Sequence, residues 1–553
     1  MLASSVRRVL HDLELLSPDW PDWAVDTFVS LGLFCTLLVT AQWLYERRSF
    51  SKHPNNSQAP EAGSGSSRSA AGPVVAKKFR RFQCMYLSVY LTVMLADWLQ
   101  GTNMYTLYQS YGVDVGALFL TGFSSAAVFG TFLGLFVDRF GRRNGCIVFC
   151  LLEVVINVLE HIPNMRLLLL GRVLGGISTS LLFSAFESWM VSEHRKKGFP
   201  EEWLESTFSA ATIGNGIMAV IAGVIAQVAS DRLGDIGPFQ VAIVLTLVAL
   251  SLLFLWEENY GYQEGTQPST PPGCDGRNEV PGAAVMGGKG VESNGSSKTN
   301  NGNGSDGKGD HDASRHGAAA EAAGMLGEGR AFGLRASVSA AWGCIVSDER
   351  VLLLGLVQSL FEGATYTFVF MWVPTLQGVV PGGVLPTGLV FSSFMVCIAI
   401  GGVLCSIMLR VMKVELASAI VFLVAAASMS LPITTQDFPA VLSAFLVLET
   451  CVGAFYSCSG LMRSRYLPGG LQSSVMNIFR LPLNVLVVVG TRVTEIAAPE
   501  TTFLVIALWF FASALLQLKL SVRAAAAATP NSIGGAGGAP EGVNGVDKAA
   551  KSD

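Results

Sequence analysis

Apolar runs of about 20 residues recur thirteen times, near 27–44, 82–101, 114–136, 145–162, 167–190, 206–229, 237–256, 350–372, 386–409, 413–431, 438–461, 472–491 and 500–520. A helix rises 1.5 Å per residue, so about 20 residues cross roughly 30 Å of hydrocarbon. A soluble fold would need as many buried helices with no polar face. Charged residues are only 14% of the 553, against about 25% in soluble domains. The pattern predicts an all-α polytopic membrane protein.

The runs are unevenly spaced. They predict an N-terminal segment, 1–81, with one extra transmembrane helix (27–44) and a cytoplasmic linker. A six-helix bundle follows over 82–256, then a central loop over 257–349, a second six-helix bundle over 350–521 and a tail over 522–553. The loop contains "GVESNGSSKTNNGNGSDGKGDHDASRHG". It lacks the apolar groups that could offset its ordering entropy, so it reads as disordered, like the tail. Two six-helix halves joined by a long loop form a transporter layout. The first run has no convincing cleavage context and reads as an anchor rather than a signal peptide.

Lys and Arg sort onto alternate loops: "YERRSF", "KKFRRF", "DRFGRRNG", "SEHRKKGFP", "LRVMKVE", "MRSRYLP" and "LKLSVR". The positive-inside rule puts these, the central loop and the C-terminus in the cytoplasm and the N-terminus outside. The triplets at Asn55, Asn294 and Asn303 then lie where sugars are not added. The net charge of −4 gives no sign of a nucleic-acid partner. With no CxxC pair, nucleotide-binding loop, metal motif or nucleophile elbow, neither enzyme activity nor a cofactor or metal is expected. The scattered cysteines read as small hydrophobes.

Charge inside a span lines a cavity or finds a partner. Asp97, Glu362 and Glu449 are candidates for proton coupling or ion pairing. Arg172 and Arg480 are candidates for holding an anion, because guanidinium keeps its charge when buried and offers a fixed fork of donors. Arg172 begins a stripe at fourfold spacing with Gly176, Ser180 and Ser184; ion pairing and substrate contact are equally open for it. Gly171, Gly175 and Gly176 read as packing residues. Asn215 is a modest pore candidate. Glu153 receives no role. Pro482 is expected to bend its helix.

The stretch "GLFVDRFGRRNG" (134–145) sets four charges between two apolar runs. Gly134 and Gly141 suit a tight turn. Asp138 needs a positive partner, such as the amino end of a helix. Arg139, Arg142 and Arg143 can reach lipid phosphates or carboxylates. Glu187 is a further gate partner on the same side.

This stretch and the 6+6 layout resemble the major facilitator superfamily, over about 82–521. The likeness implies a 6+6 helical core with one additional N-terminal helix, and a gate in which Asp138 meets the start of core helix eleven near Gln472–Ser474. "LRVMKVE" is a degenerate second copy. "ADWLQGTNMYTLYQSYG", "GRVLGGISTSLLFSAFESWMVSEH", "VLLLGLVQSLFEGATYTFVFMWVPTL" and "NIFRLPLN" resemble the molybdate-anion transporter family of eukaryotes. That resemblance implies high-affinity molybdate uptake across the plasma membrane. A tetrahedral dianion needs positive charge and donors. Arg480 is the first choice and Arg172 the second, with Asn477, Asn484, Gln100, Tyr105 and Tyr456 completing a shell. Proton cotransport and function as a monomer in contact with membrane lipid are expected. The residues alone leave open another small solute, such as sulfate, a sugar or an organic anion, or a membrane sensor that no longer transports.

Overall fold

A computed structural model describes residues 20–52, 73–130, 133, 137, 140–260, 339–467 and 472–528. Gly134, Asp138, Arg139, the three N-x-S/T triplets, most of the central loop and the end of the tail lie outside these, as do the side chains of Gln472–Ser474 and Asn477.

Among the described residues, thirteen long helices match the apolar runs in number and order. They are α1 (Asp22–Lys52), α2 (Pro73–Ser110), α3 (Val115–Phe129), α4 (Arg142–Leu159), α5 (Met165–Lys196), α6 (Glu202–Leu233) and α7 (Gly237–Leu253). The second set is α8 (Glu349–Val379), α9 (Thr387–Met408), α10 (Val414–Thr434), α11 (Phe438–Tyr466), α12 (Gln472–Ile496) and α13 (Pro499–Ala528). Nine are long and apolar enough to cross a membrane, and α3 and α7 are shorter apolar helices. The remaining two, α4 and α12, carry Arg142, Arg143 and Glu153, and Arg480 and Arg492.

Helix ends differ from the runs where polar residues extend a helix past its apolar part. The α2 helix starts at Pro73, a residue suited to a helix start, and keeps its pattern through "VVAKKFRRF". The α13 helix runs to Ala528, seven residues past the expected boundary at 521, because its continuation is alanine-rich. Residues 257–260 and the helical stretch 339–347 are placed, although both fall in the expected loop. Pro482 lies inside α12, which continues through it.

Short-range signals fix the starts. Asp114, Asn164, Asp348 and Asp437 each accept a backbone N–H of the first turn of the helix that follows, satisfying a donor that has no partner within the helix.

The two halves, α2–α7 and α8–α13, meet along two seams of matching position: α3 against α12, and α6 against α9. The described contacts between them gather at one end, that of Asp114 and the 380–386 loop. There Phe370, Leu483 and Val487 form a cluster joined by Phe119 and Phe123. Trp98 lies 5.8 Å from Phe391. The other end carries Arg142, Arg195, Arg410 and Arg463 and is called the basic end below. The second half has the larger core, built on stacked Phe361 and Phe455 (4.0 Å).

Candidate functional site

A cavity of about 290 Å³ opens in the first half among α2, α3, α4 and α5, lined by Asp97, Gln100, Phe119, Phe123, Glu153 and Arg172 among others. The positions follow from helix periodicity. Asp97, Gln100 and Met104 share one face of α2; Arg172, Gly176 and Thr179 share one face of α5. Gly175, expected to pack, has open space beside it and also lines the cavity. Gly176 is pressed against Ser125 of α3, whose hydroxyl donates to the Val173 carbonyl (2.7 Å).

Glu153 is the most fully bonded carboxylate here. One oxygen accepts from Gln100 Nε2 (2.8 Å), the other from Ser178 Oγ (2.5 Å). The sequence reading left it without a role; its signal was a lone charge in an apolar run. Arg172 lines the cavity but is already paired. Its Nη2 donates to Glu160 Oε1 at 2.9 Å, and that oxygen also accepts from Tyr108 Oη at 2.8 Å. Its other amino group lies 2.9 Å from Met104 Sδ. Of the two roles left open for Arg172, ion pairing is the one this geometry displays. Sequence reasoning missed Glu160, which looked like an ordinary charge at the end of a span.

An aromatic wall bounds the cavity toward the second half. Phe119 packs edge-on against Phe370 (5.0 Å), and Phe123 against Tyr366 (5.3 Å). Beyond it lies the second polar group. Gln358 Nε2 donates to Glu362 Oε1 (3.0 Å). Arg480 and Arg463 lie within electrostatic reach of Glu362, and Arg480 of Tyr366 as well. Tyr456 lies within electrostatic reach of Tyr366, Glu362 and Glu449. Tyr456 is 51% exposed and Arg480 is exposed, whereas Glu449 is buried close to Cys397. So Arg480, Tyr456 and Glu362 come together, and Gln100, Asp97 and Arg172 come together, on opposite sides of the wall. Asn484 is half-buried on α12. Tyr105 does not join either group, since it packs against the core of the second half. Asn215 is occupied by Trp98, whose Nε1 donates to it (2.8 Å).

At the basic end the arginine-rich turn meets the residues that follow α7. Gly141 has φ of +107°, a conformation costly for any other residue. A methyl group there would lie 2.6 Å from the Glu258 carboxyl carbon. Glu258 accepts the backbone N–H groups of Arg143 (2.9 Å), Asn144 (3.0 Å) and Asn259 (3.0 Å). A carboxylate therefore sits on the positive amino end of α4. The Arg142 N–H donates to the Asn259 carbonyl (3.0 Å). The side chain of Arg143 turns back to the Leu253 carbonyl (3.2 Å). Arg142, Glu187 and Arg195 line one shallow hollow, so the structure brings Glu187 to the turn. Beside them Lys196 pairs with Glu257 (3.0 Å), holding that carboxyl below the usual glutamate range. Glu258 was invisible in the sequence because it reads as one of two charges opening a polar loop.

The described residues contain no group of three or more His, Cys, Asp or Glu able to hold a metal ion.

Comparison with known proteins gives the family. A family described as sugar transporters with twelve transmembrane segments matches residues 62–270 and 323–454. A molybdate-anion transporter of Xenopus tropicalis is 32% identical over 432 residues, 75% of this chain and 79% of its own. One from Takifugu rubripes is 32% identical over 430 residues, 74% and 79% of the two chains. Among solved structures, the nucleoside transporter NupG superposes with a TM-score of 0.53 at 11% identity, covering 80% of this chain and 99% of that one. The POT family transporter PepTSo superposes at 0.55 and 11% identity, covering 81% and 99%. These two speak for the fold alone. The chain belongs to the molybdate-anion transporter family of the major facilitator superfamily, with a twelve-helix core and one additional N-terminal helix.

Proposed function

We propose that the protein carries molybdate across the plasma membrane by alternating access between residues 82–256 and 350–521. The basic loops, the central loop and the C-terminus face the cytoplasm, and the N-terminus faces out. The observation that carries this reading is 32% identity, over three quarters of the chain, with relatives named molybdate-anion transporters. The described contacts close the seams at the Asp114 end, the outer end on this orientation.

The two polar groups suit different ions. Around the first-half cavity stand Asp97, Glu153 and Glu160 against one cation, Arg172. With its carboxylates ionised, that group repels a dianion. In the second half, Arg480 and Arg463 lie within electrostatic reach of Glu362. Arg480 therefore holds the anion, with Tyr456 and Asn477 or Asn484 as donors, and the first-half carboxylates carry protons. Gly134, Asp138, Arg139 and the turn that follows gate the cytoplasmic side.

Radiolabelled molybdate uptake in transport-deficient cells tests this. Arg480→Ala at matched surface expression should abolish saturable uptake, and Arg480→Lys should raise KM. Unchanged uptake in Arg480→Ala would reject Arg480 as the anion contact. Competition by tungstate but not by sugars separates molybdate transport from the sugar transport named by the matching family.

A further inference from the structure

The additional helix α1 packs along α9 of the second half. Near the basic end the Tyr45 ring lies 4.4 Å from the Arg410 guanidinium, just after α9. At the Asp114 end α1 reaches further. Trp23 packs edge-on against Phe438 at the start of α11 (4.6 Å). Trp20 Nε1 donates to Asp231 Oδ2 on α6, in the first half, at 2.5 Å.

That bond opens a chain of three. Asp231 Oδ1 accepts from Gln227 Nε2 (2.8 Å), one turn earlier on α6. Gln227 Oε1 accepts the backbone N–H of Gly388, in the first turn of α9 (3.0 Å). The path runs from Trp20, just before α1, to α6 and on to α9, and so ties the additional helix to the contact between the halves. It is sealed by Val25, Val29, Leu389, Val224 and Val228. The backbones touch here: a methyl on Gly388 would collide with the Gly223 carbonyl, and one on Gly223 with Ser392 Oγ. Ser392 Oγ donates to the Val220 carbonyl (2.8 Å).

The chemistry has a direction. An amide must present oxygen, not nitrogen, to the Gly388 N–H. Asp231 enforces this by taking the nitrogen end of Gln227. Asp231 in turn has one oxygen for Gln227 and one for Trp20. Without the indole N–H its carboxylate is free to turn toward water at the mouth of the seam.

We propose that Trp20 is a positioning residue for transport: through Asp231 it orients Gln227 to latch α6 to α9, so the additional helix biases the transporter toward the form closed at the Asp114 end. This rests on the alternating-access reading, because the latch matters only if that seam parts.

The test measures the seam directly on purified full-length protein. Spin labels on L233C and V384C, both exposed in the native protein, with native cysteines replaced, report the separation of α6 from the start of α9. Trp20→Phe keeps the ring and removes the donor. Asp231→Asn leaves one acceptor where two are needed. Each should raise the ratio of parted to closed molecules about fivefold or more, as loss of a part-buried bond to a charged group implies. Gln227→Ala should do the same, and adding Trp20→Phe to it should give no further increase. In uptake assays Trp20→Phe should lower KM for external molybdate more than it changes the maximal rate. A parted population that rises in Gln227→Ala but stays at the parental value in Trp20→Phe and Asp231→Asn would overturn the proposal. So would no change in any of the three. If the parental protein carries no molybdate, the substrate reading fails, while the distance measurement still decides the latch.

Discussion

Gly141→Ala probes the arginine-rich turn most directly. Two costs add there. The backbone conformation (φ +107°, ψ 137°) is one that non-glycine residues occupy at about 1–3 kcal/mol. The new methyl would also lie within 2.6–2.9 Å of the Glu258 carboxylate atoms, and that carboxylate must leave. It then gives up its bonds to the first turn of α4, worth about 1 kcal/mol as a helix cap. The sum is about 2–4 kcal/mol. Glu258→Ala alone should cost only the cap, and in that background Gly141→Ala should cost only the backbone strain. The two substitutions are therefore less than additive by about 1 kcal/mol. Gly198→Ala is the control, since Gly198 also has positive φ (+68°) but nothing within 4 Å of its added methyl. Unfolding of the purified variants in detergent, followed by denaturant titration, measures all four. Full additivity of Gly141→Ala and Glu258→Ala, or equal losses at Gly141 and Gly198, would refute the argument that Glu258 shapes the turn.

Other consequences are more local. Arg172→Ala leaves Glu160 buried without its cation and should destabilise by about 3–5 kcal/mol. Arg172→Ala with Glu160→Gln should recover part of that, as thermal unfolding will show. Asp348 caps α8 and is held below the ordinary aspartate range, chiefly by the hydrogen bond from Arg350. Its contribution is therefore complete above about pH 4 and fades as pH falls through the lowered value. The pair is half-exposed, so Asp348→Asn should cost under about 1 kcal/mol at neutral pH and nothing in acid, measurable by melting at two pH values.

Much of the fold was legible because lipid demands one thing of every span. The thirteen helices follow the apolar runs, and their ends run past them where the flanks still favour a helix, as at Pro73, Lys52, Lys196 and Ala528. The site was legible only by residue. Asp97, Gln100 and Arg172 stood out as polar groups in apolar runs, and they do meet at one cavity. Their partners did not stand out. Glu160, Tyr108 and Glu258 lie at the ends of runs, where charge is commonplace, and what makes them matter is a contact across 52 to 115 positions of sequence. Tyr105 misled for the same reason: its spacing along α2 matches Asp97, but its ring is claimed by the other half.

The charge on the two polar groups bears on energetics. Carrying a dianion into an inside-negative cell costs about 4.6 kcal/mol per 100 mV, so on the proposed coupling the number of protons decides whether molybdate accumulates. Around the first-half cavity, Glu160 is committed to Arg172 and Tyr108. On the proposed proton coupling, that leaves Asp97 and Glu153 as the candidate carriers there. Two protons would cancel the charge of the anion. Accumulation should then follow the pH gradient and ignore the membrane potential. A third proton, on Glu362 or Glu449, would make the potential favourable by about 2.3 kcal/mol per 100 mV, close to fiftyfold in accumulation. Proteoliposomes with the potential clamped by potassium and valinomycin separate the cases. With the two-proton route, Glu153→Gln should leave one carrier, and an inside-negative potential should then oppose uptake where it had no effect before. If Glu153→Gln changes neither the pH response nor the voltage response, the first-half cavity does not carry the coupling protons.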